Sequence, residues 1–415
     1  MPGELAVLLY GRQVAQLVEG HGHRSLHYGV SPGNTPVSLS MPIQAGRHGN
    51  RVVEPYLNGL LPDRPDVRAA MGRELGVSGN NPFALLRHAG LDCAGAVQFC
   101  EPDRVQEALA RPGSLERVEE SEIARRIGSV LDGSMRSWIA PAERWSLAGA
   151  QAKFALHRDA RGGWSEPGGA TPSTHIIKPG IPELFDQALN EHVCMCAGRA
   201  LGLDMAASEY TEFESLPAIV VQRYDRRADA QGDVVRIHQE DLCQALSVPP
   251  DKKYETDGGP GAAAILRVLS QNAAGRDRER FVVAQAFNYL IGGTDAHAKN
   301  LSVLLVGRMV RLAPLYDVAS GFPYEGLAME LPIAVGGERR FGFVRDRHWV
   351  KLANQARLDG DRVLGIVHDL ARRVPDALRD AFAEVPLSRS STATGLRERM
   401  LAAVRQQCES VLRGW

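Results

Sequence analysis

The chain has 415 residues, a formal net charge of -1, 44% hydrophobic residues and 23% charged residues. That length exceeds one ordinary core, so two or three packed units are expected. The balanced charge excludes a global positive field that would draw the chain to nucleic acid or to an anionic membrane.

The opening run MPGELAVLLYGRQ is too short and lacks the basic flank of a signal peptide. No apolar run approaches the ~20 residues of a membrane span, so a soluble, cytoplasmic protein is expected. Residues 5–19, LAVLLYGRQVAQLVE, predict two strands around a Gly11-Arg12 turn, because a Gly-X pair suits a type II′ hairpin. PVSLSMPIQ alternates like another strand. NPFALLRHAG and PDRVQEALARPG read as helices, the second halted by Pro112-Gly113. Residues 1–110 are therefore expected to form a small α/β unit.

Residues 114–140 are charged and read as a linker. Short strands follow at FALHRD, STHIIKP and PAIVVQRYD, interrupted by one helix, DQALNEHVCMCAGRALGL, ending at Gly202. Residues 111–239 thus form a β-rich middle unit behind that linker. From residue 240 to 415 the pattern is helical. Val283, Ala286, Phe287, Leu290 and Ile291 fall on one helix face, and Val363, Ile366, Val367, Leu370 and Ala371 repeat that spacing. SRSSTATG (388–395) reads as a polar linker before a last amphipathic helix. The six cysteines, Cys93, Cys100, Cys194, Cys196, Cys243 and Cys408, form no CxxC pair, which points to reduced thiols.

Chemistry concentrates in GGTDAHAKNLSVLL (292–305). Asp295 and Asn300 are five positions apart, the spacing of the proton-accepting Asp and the metal-binding Asn in the kinase loop HRDxxxxN. LSVLLV and MVRL flank Gly307-Arg308, a hairpin signal. Pairing Val306 with Met309 returns Asp317 to the neighbourhood of Asn300. A carboxylate and an amide oxygen beside Asp295 suit Mg²⁺, a hard cation that takes oxygen ligands. His297 lies between them and has two readings, a phosphate contact or a histidine bonded within its own loop. Lys299 is a further phosphate candidate.

SLAGAQAK (146–153) puts small residues before a strand, where backbone N–H groups can approach phosphates. It is not a Walker A motif. Lys178 ends the strand HIIK, where a kinase places its phosphate lysine, and Glu191 on the next helix is its candidate partner. IVVQRYDRR (219–227) is a strand turning polar where an inter-lobe hinge is expected.

In chain order, SLAGAQAKFAL, THIIKPG, QRYDRR, HQEDLCQALSVPPDKKYE, LIGGTDAHAKNLSVLL and LAPLYDVASG resemble the signatures of HipA-type serine/threonine kinase toxins of bacterial type II toxin–antitoxin systems. The first hairpin, SLSMPI, LNGLLPDRPDVR and AGAVQF resemble that family's N-terminal subdomain. The resemblance covers nearly the whole chain to about residue 375.

It implies an α+β, two-lobed, protein-kinase-like fold with an added N-terminal subdomain and a mostly helical C-terminal lobe. It implies Asp295 as the catalytic aspartate, Asn300 and Asp317 as Mg²⁺ ligands, and ATP as the phosphoryl donor. Ala148, Gly149, Ala150, Gln151, Ala152 and Lys153 would cover the phosphates and Lys178 would contact them. His297, Ala298, Lys299 and Asn300, with Tyr316 and Asp317, would complete the phosphate side. Gln222, Arg223 and Tyr224 would hold adenine, with Asp225 and Gln239 near the ribose. Ser146 matches the family's autophosphorylated serine.

The chain departs from the family at Ala296, often Gly, and at Ala152 and Gln222, often Glu. None of these removes a catalytic group. The activity implied is transfer of the γ-phosphoryl group to Ser or Thr of a host protein, an aminoacyl-tRNA synthetase in the family, with inhibited translation and growth arrest or persistence. The implied partners are a HipB-like helix-turn-helix antitoxin and, mainly through it, operator DNA. The Arg-rich run RDRER (276–280) reads as a solvated helix turn. Two competing readings are a non-catalytic corepressor acting with the antitoxin and a small-molecule phosphotransferase. A metal-dependent hydrolase is disfavoured because no second histidine has ligand spacing to His297.

Overall fold

The computed structural model describes residues 3–132, 147–385 and 391–414. Its N-terminal unit opens with β1 (Gly3–Leu9) and β2 (Arg12–Gly20), in which Leu9 faces Arg12. The turn is therefore Tyr10-Gly11, one residue earlier than expected. Both turn residues have positive φ, 52° and 71°, the signature of a type I′ rather than a type II′ turn. With β3 (His23–Tyr28), β4 (Arg47–His48) and β5 (Val97–Cys100) they form one sheet in the order β4-β3-β2-β1-β5.

Leu5, Val7 and Leu17 pack beneath α1 (Asn50–Gly59), α2 (Pro65–Leu75) and α3 (Pro82–Ala89), with Tyr56, Leu57, Met71, Phe83 and Leu86 on the helix side. Ala6 and Leu8 point the other way, towards Val105 of α4 (Val105–Ala110), as a period of two requires. PVSLSMPIQ does not form the expected strand. Only an isolated bridge joins Ser38 to Met41. Pro36 and Pro42 lack the N–H a ladder needs, and the Ser38 hydroxyl accepts from Ser40 N–H instead (3.1 Å).

The described part of the expected linker 114–140 is ordered, as β6 (Gly113–Val118) and α5 (Glu120–Leu131), and residues 133–140 lie outside the described residues. Its charges are the solvated face of these elements. Helix α5 buries Ile123, Ala124 and Ile127, while Glu122 pairs with Arg125 and Arg126. β7 (Phe154–Arg158), β8 (Trp164–Gly169), β9 (His175–Pro179), β10 (Ser208–Phe213) and β11 (Leu216–Gln222) complete a six-stranded sheet in the order β10-β11-β9-β7-β8-β6. β9 is interior, and it carries Lys178. Helix α6 (Gln187–Ala200) packs on this sheet. It ends before Gly202, whose φ of 87° lets the chain reverse.

The chain then forms the hairpin β12 (Arg226–Ala228) and β13 (Val234–Arg236). β14 (His238–Asp241) enters the C-terminal lobe and pairs with β15 (Ser302–Val306), which pairs with β16 (Met309–Leu312). Around this small sheet stand α7 (Leu242–Ala245), α8 (Ala262–Asn272), α9 (Gly275–Ile291), the ribbon β17 (Glu330–Val335) and β18 (Glu338–Arg340), α10 (Asp346–Ala356), α11 (Gly360–Glu384) and α12 (Ser391–Leu412).

Helix α9 is central. Of its predicted face Ala286, Phe287, Leu290 and Ile291 are buried and Val283 only partly, while Phe281, Val282 and Ala284 are buried too, because helices α8, α10, α11 and α12 surround it. Val363, Val367, Leu370 and Ala371 of α11 are buried as their spacing predicts, and Ile366 only partly. The predicted linker 388–395 is corrected from Ser391 onward, where α12 begins; 386–390 lie outside the described residues. No described helix is long and apolar enough to cross a membrane. All six cysteines are free thiols. RDRER is a helix turn of α9 but not a solvated one: Asp277 is buried, and Arg280 pairs with it and, across the fold, with Asp204.

A buried ionic network joins the N-terminal unit to the sheet of the next. Asp92 accepts from Arg226 (2.8 Å), Arg236 (3.0 Å) and the Ser173 hydroxyl (2.8 Å). Asp225 accepts from Arg223 (2.8 Å), Arg226 (2.9 Å) and Gly95 N–H (2.7 Å). Burial opposes the charge on Asp92, but the three arginines outweigh it and hold the carboxyl ionised.

Candidate active site

Val306 pairs with Met309 across the Gly307-Arg308 turn, as the sequence predicts. Gly307 takes a φ of 61°, which a side chain would disfavour. The ribbon is thus pinned, and its two ends meet one cavity of about 900 Å³ between the lobes. Asn300 closes a short 3₁₀ turn, Ala298–Asn300, just before β15. Asp317 follows β16 with a φ of 54°, a left-handed conformation that aspartate tolerates better than most residues. Asp295, Asn300 and Asp317 all line that cavity.

Lys178 is buried on interior strand β9. Its ammonium donates to Glu191 of α6 (2.6 Å) and also contacts Asp317. Burial disfavours this ammonium, but Asp317 and Glu191 reverse the effect and hold it above the ordinary lysine range. Burial likewise pushes Asp317 up, yet Lys178 and Lys153 win and hold it at about 2. Asp317 is therefore an anion at neutral pH.

The loop before β7 folds over these groups. Gly149 has a φ of 109°, and a Cβ there would stand 2.6 Å from Lys153 Nζ. Glycine is thus favoured by conformation, whereas the ammonium, at the end of a flexible side chain, could move aside. The Gly149 carbonyl accepts from Asp63 N–H (2.9 Å). Gln151 Nε2 donates to the Pro179 carbonyl (3.2 Å) and to Gln187 (3.1 Å), which fixes the loop over the end of β9. Lys153 is buried, and desolvation pulls its ammonium down to about 8. Ala148, Ala150 and Ala152 also line the cavity. Ser146 lies outside the described residues.

Asp295 is the exposed acid of the site, its side chain 64% accessible. The Tyr254 hydroxyl donates to its Oδ1. Asn300 Nδ2 donates to the Asp295 carbonyl (2.9 Å), so the amide oxygen is the atom left to ligate a cation. His297 is buried, with Nε2 3.6 Å from Asp295 and its ring edge-on to Tyr254 at 4.9 Å. Neither ring nitrogen has a hydrogen-bond partner, which does not match a histidine bonded within its own loop. Burial lowers its pKa to about 4, so the imidazole is neutral at pH 7. Lys299 lines the cavity, whereas Ala298 is packed in the core.

At the hinge, Gln222, Arg223 and Tyr224 reach the cavity wall. The Arg223 side chain is turned into the buried ionic network, while its N–H donates to the Thr174 carbonyl (2.9 Å) and its carbonyl accepts from Arg226 N–H (3.2 Å). Tyr224 stacks on Tyr316 (5.5 Å between centroids, 29°) and donates to Gln239 Oε1 (2.6 Å). The Asp225 carboxylate already accepts from Arg223, Arg226 and Gly95. That leaves Gln239 as the polar side chain for a ribose.

The donors fit a magnesium ion. Asn300 and Asp317 offer only oxygen, and Asp317 is charged. Among the described residues no three His, Cys, Asp or Glu side chains gather as a metal site. Two protein ligands completed by phosphate oxygens and water are what Mg²⁺ takes in phosphotransfer sites.

Three residues were not singled out from the sequence. Asp63 comes from the N-terminal unit, and its carboxylate contacts Lys299 and lies 3.7 Å from Lys253. Burial raises Asp63, but Lys299 and Lys253 outweigh it and keep the acid ionised. Tyr254 is the donor to Asp295. The only signal was their place inside LNGLLPDRPDVR and HQEDLCQALSVPPDKKYE.

Comparison with known proteins places the family and the fold. The family model described as the HipA-like C-terminal domain matches residues 145–378, and that of the HipA N-terminal domain matches residues 5–100. The chain is 36% identical to a protein of Sinorhizobium fredii named "Putative kinase Y4mE", covering 90% of this chain and 89% of that one. It is 28% identical to the serine/threonine-protein kinase toxin HipA of Shewanella oneidensis, over 85% of this chain and 82% of the toxin. Its fold matches HipA in the solved complex of HipA, HipB and operator DNA from Shewanella oneidensis, with a TM-score of 0.84 over 99% of this chain, 97% of that chain and 24% identity. With an α+β, two-lobed kinase-like architecture and both family domains in order, this chain belongs to the HipA family.

Proposed function

We propose that this chain is a serine/threonine protein kinase that transfers the γ-phosphoryl group of ATP to a protein hydroxyl, acting as a toxin. The observation that carries this reading is the ion triad Lys178–Glu191–Asp317 facing Asp295 and Asn300 across one cavity. A kinase needs its strand lysine paired to a helix glutamate before the site is competent. Here that pair is formed.

Adenine stands against Gln222 to Tyr224, with Gln239 at the ribose. The loop from Ala148 to Lys153 covers the triphosphate, and Lys153, Lys178 and Lys299 offset its charge. Asn300 and Asp317 hold Mg²⁺; bound there, the ion neutralises the phosphates. His297, neutral and buried, faces the same phosphates without adding charge. Asp295 accepts the proton of the incoming serine or threonine hydroxyl, held for this by Tyr254. Most of the rate then comes from positioning and fixed charge, as phosphoryl transfer requires.

The target class is a host protein, an aminoacyl-tRNA synthetase by likeness to the family, with arrested translation and growth arrest or persistence as the outcome. Ser146, one residue before the described loop, is the autophosphorylation site. A phosphate there adds up to about two negative charges beside a loop built to cradle phosphates. A HipB-like antitoxin neutralises the chain and carries operator DNA.

The test is incubation of the full chain with γ-labelled ATP and Mg²⁺, followed by phosphopeptide mapping. Label on Ser146 and on a bacterial protein, lost in Asp295→Asn, supports the proposal. MgATP binding with no transfer to any protein would leave a corepressor.

A further inference from the structure

Asp63 belongs to the N-terminal unit, in the connection between α1 and α2, yet it touches three separate parts of the cleft. Its carboxylate contacts Lys299 of the catalytic loop. It also lies 3.7 Å from Lys253, the residue before the Tyr254 that holds Asp295. Its backbone N–H donates to the Gly149 carbonyl of the phosphate loop, 2.9 Å away, and Pro62 bridges to Gly149. The connection is itself braced, because Arg68 Nε donates to the Pro62 carbonyl (2.6 Å).

The Asp63 and Lys299 side chains are 13% and 5% exposed. A pair so shielded is screened far less than a surface pair. A lysine is a point charge on a flexible stem, so its placement depends on what it is tethered to. Lys178 is tethered by Glu191 and Asp317, both within the kinase lobes. The counterion of Lys299 comes instead from the added subdomain.

We infer that Asp63 is a positioning residue of the phosphotransfer site, acting through Lys299 to fix its ammonium at the terminal phosphates, so that the N-terminal unit is a working wall of the catalytic cleft. This rests on the kinase reading above and extends it to the subdomain.

Asp63→Asn keeps the shape and the backbone bond to Gly149 and removes only the charge. In the full chain with Mg²⁺ and ATP, kcat falls at least about tenfold while the KM for ATP changes less than about threefold. Asp63→Glu recovers part of the loss. Because Asp63 acts through Lys299, adding Asp63→Asn to Lys299→Met costs nothing further. Independently of activity, acylation of Lys299 by an amine-reactive ester, read by mass spectrometry, quickens at least about fivefold in Asp63→Asn as the tether is lost. Wild-type kcat in Asp63→Asn, additive losses in the double variant, or unchanged acylation overturns the inference. If acylation quickens but the wild type transfers no phosphate, it is the kinase reading that fails and the Asp63–Lys299 coupling that stands.

Discussion

Lys178 and Asp317 lie 139 positions apart in the chain and meet as an ion pair across the cleft, the lysine buried and the acid partly exposed. Neither residue is placed by its own neighbourhood alone. An interior strand delivers the lysine, and the end of a pinned ribbon delivers the acid.

Lys178→Met leaves Glu191 buried without its cation, while the partly exposed Asp317 keeps Lys153 nearby. Breaking a buried pair from one side costs about 3–5 kcal/mol. Urea unfolding at pH 7 should show a loss of that order. The loss should shrink towards pH 5, where the orphaned carboxyl takes up a proton and sheds its buried charge.

Asp295→Asn should reduce phosphotransfer by about 10²–10⁴-fold, the usual contribution of a proton acceptor. Tyr254→Phe keeps the acid and removes the hydroxyl that aims it. Its kcat should fall about tenfold, and its melting temperature should stay near that of the wild type, since Tyr254 is only partly buried. Steady-state kinetics with a peptide substrate read both.

Burial draws Lys153 from 10.5 to about 8. Its ammonium is present below that pH and lost above it. The kcat/KM for ATP, which reports the free enzyme, should therefore fall as pH rises through about 8. Lys153→Arg keeps its charge at that pH and should remove this limb, whatever it does to the maximal rate. An unchanged limb in Lys153→Arg would assign it to another group.

Arg226→Met leaves Asp92 and Asp225 short of their shared cation at the junction with the N-terminal unit. The same buried-pair arithmetic gives a loss of about 3 kcal/mol or more. Because the network runs through Arg223 of the hinge, ATP affinity should drop as well. Calorimetry with an ATP analogue tests the second effect separately from the melt.

Much of the site was legible because its signals are local. Gly307-Arg308 between apolar runs sets a register, and the register carries Asp317 back towards Asn300. Lys178 announces itself by closing the apolar run HIIK. Charge misled where it decorates ordered surface, as in β6 and α5, whose buried side shows only Val118, Ile123, Ala124 and Ile127 to a periodicity reading. PVSLSMPIQ misled in the opposite sense, its alternation defeated by two prolines. Asp63 could not be read at all, since its meeting with Lys299 spans 236 positions and depends on how two units dock. Tyr254 sits in a 3₁₀-rich connection with no periodicity to place it.

The most direct test of the central claim is anomalous diffraction from crystals of the full chain with Mn²⁺ and a non-hydrolysable ATP analogue. A manganese peak is expected within about 2.5 Å of both the Asn300 amide oxygen and the Asp317 carboxylate, with the γ-phosphate facing Asp295. Manganese held by other residues, or nucleotide seated with its phosphates away from that pair, would contradict it.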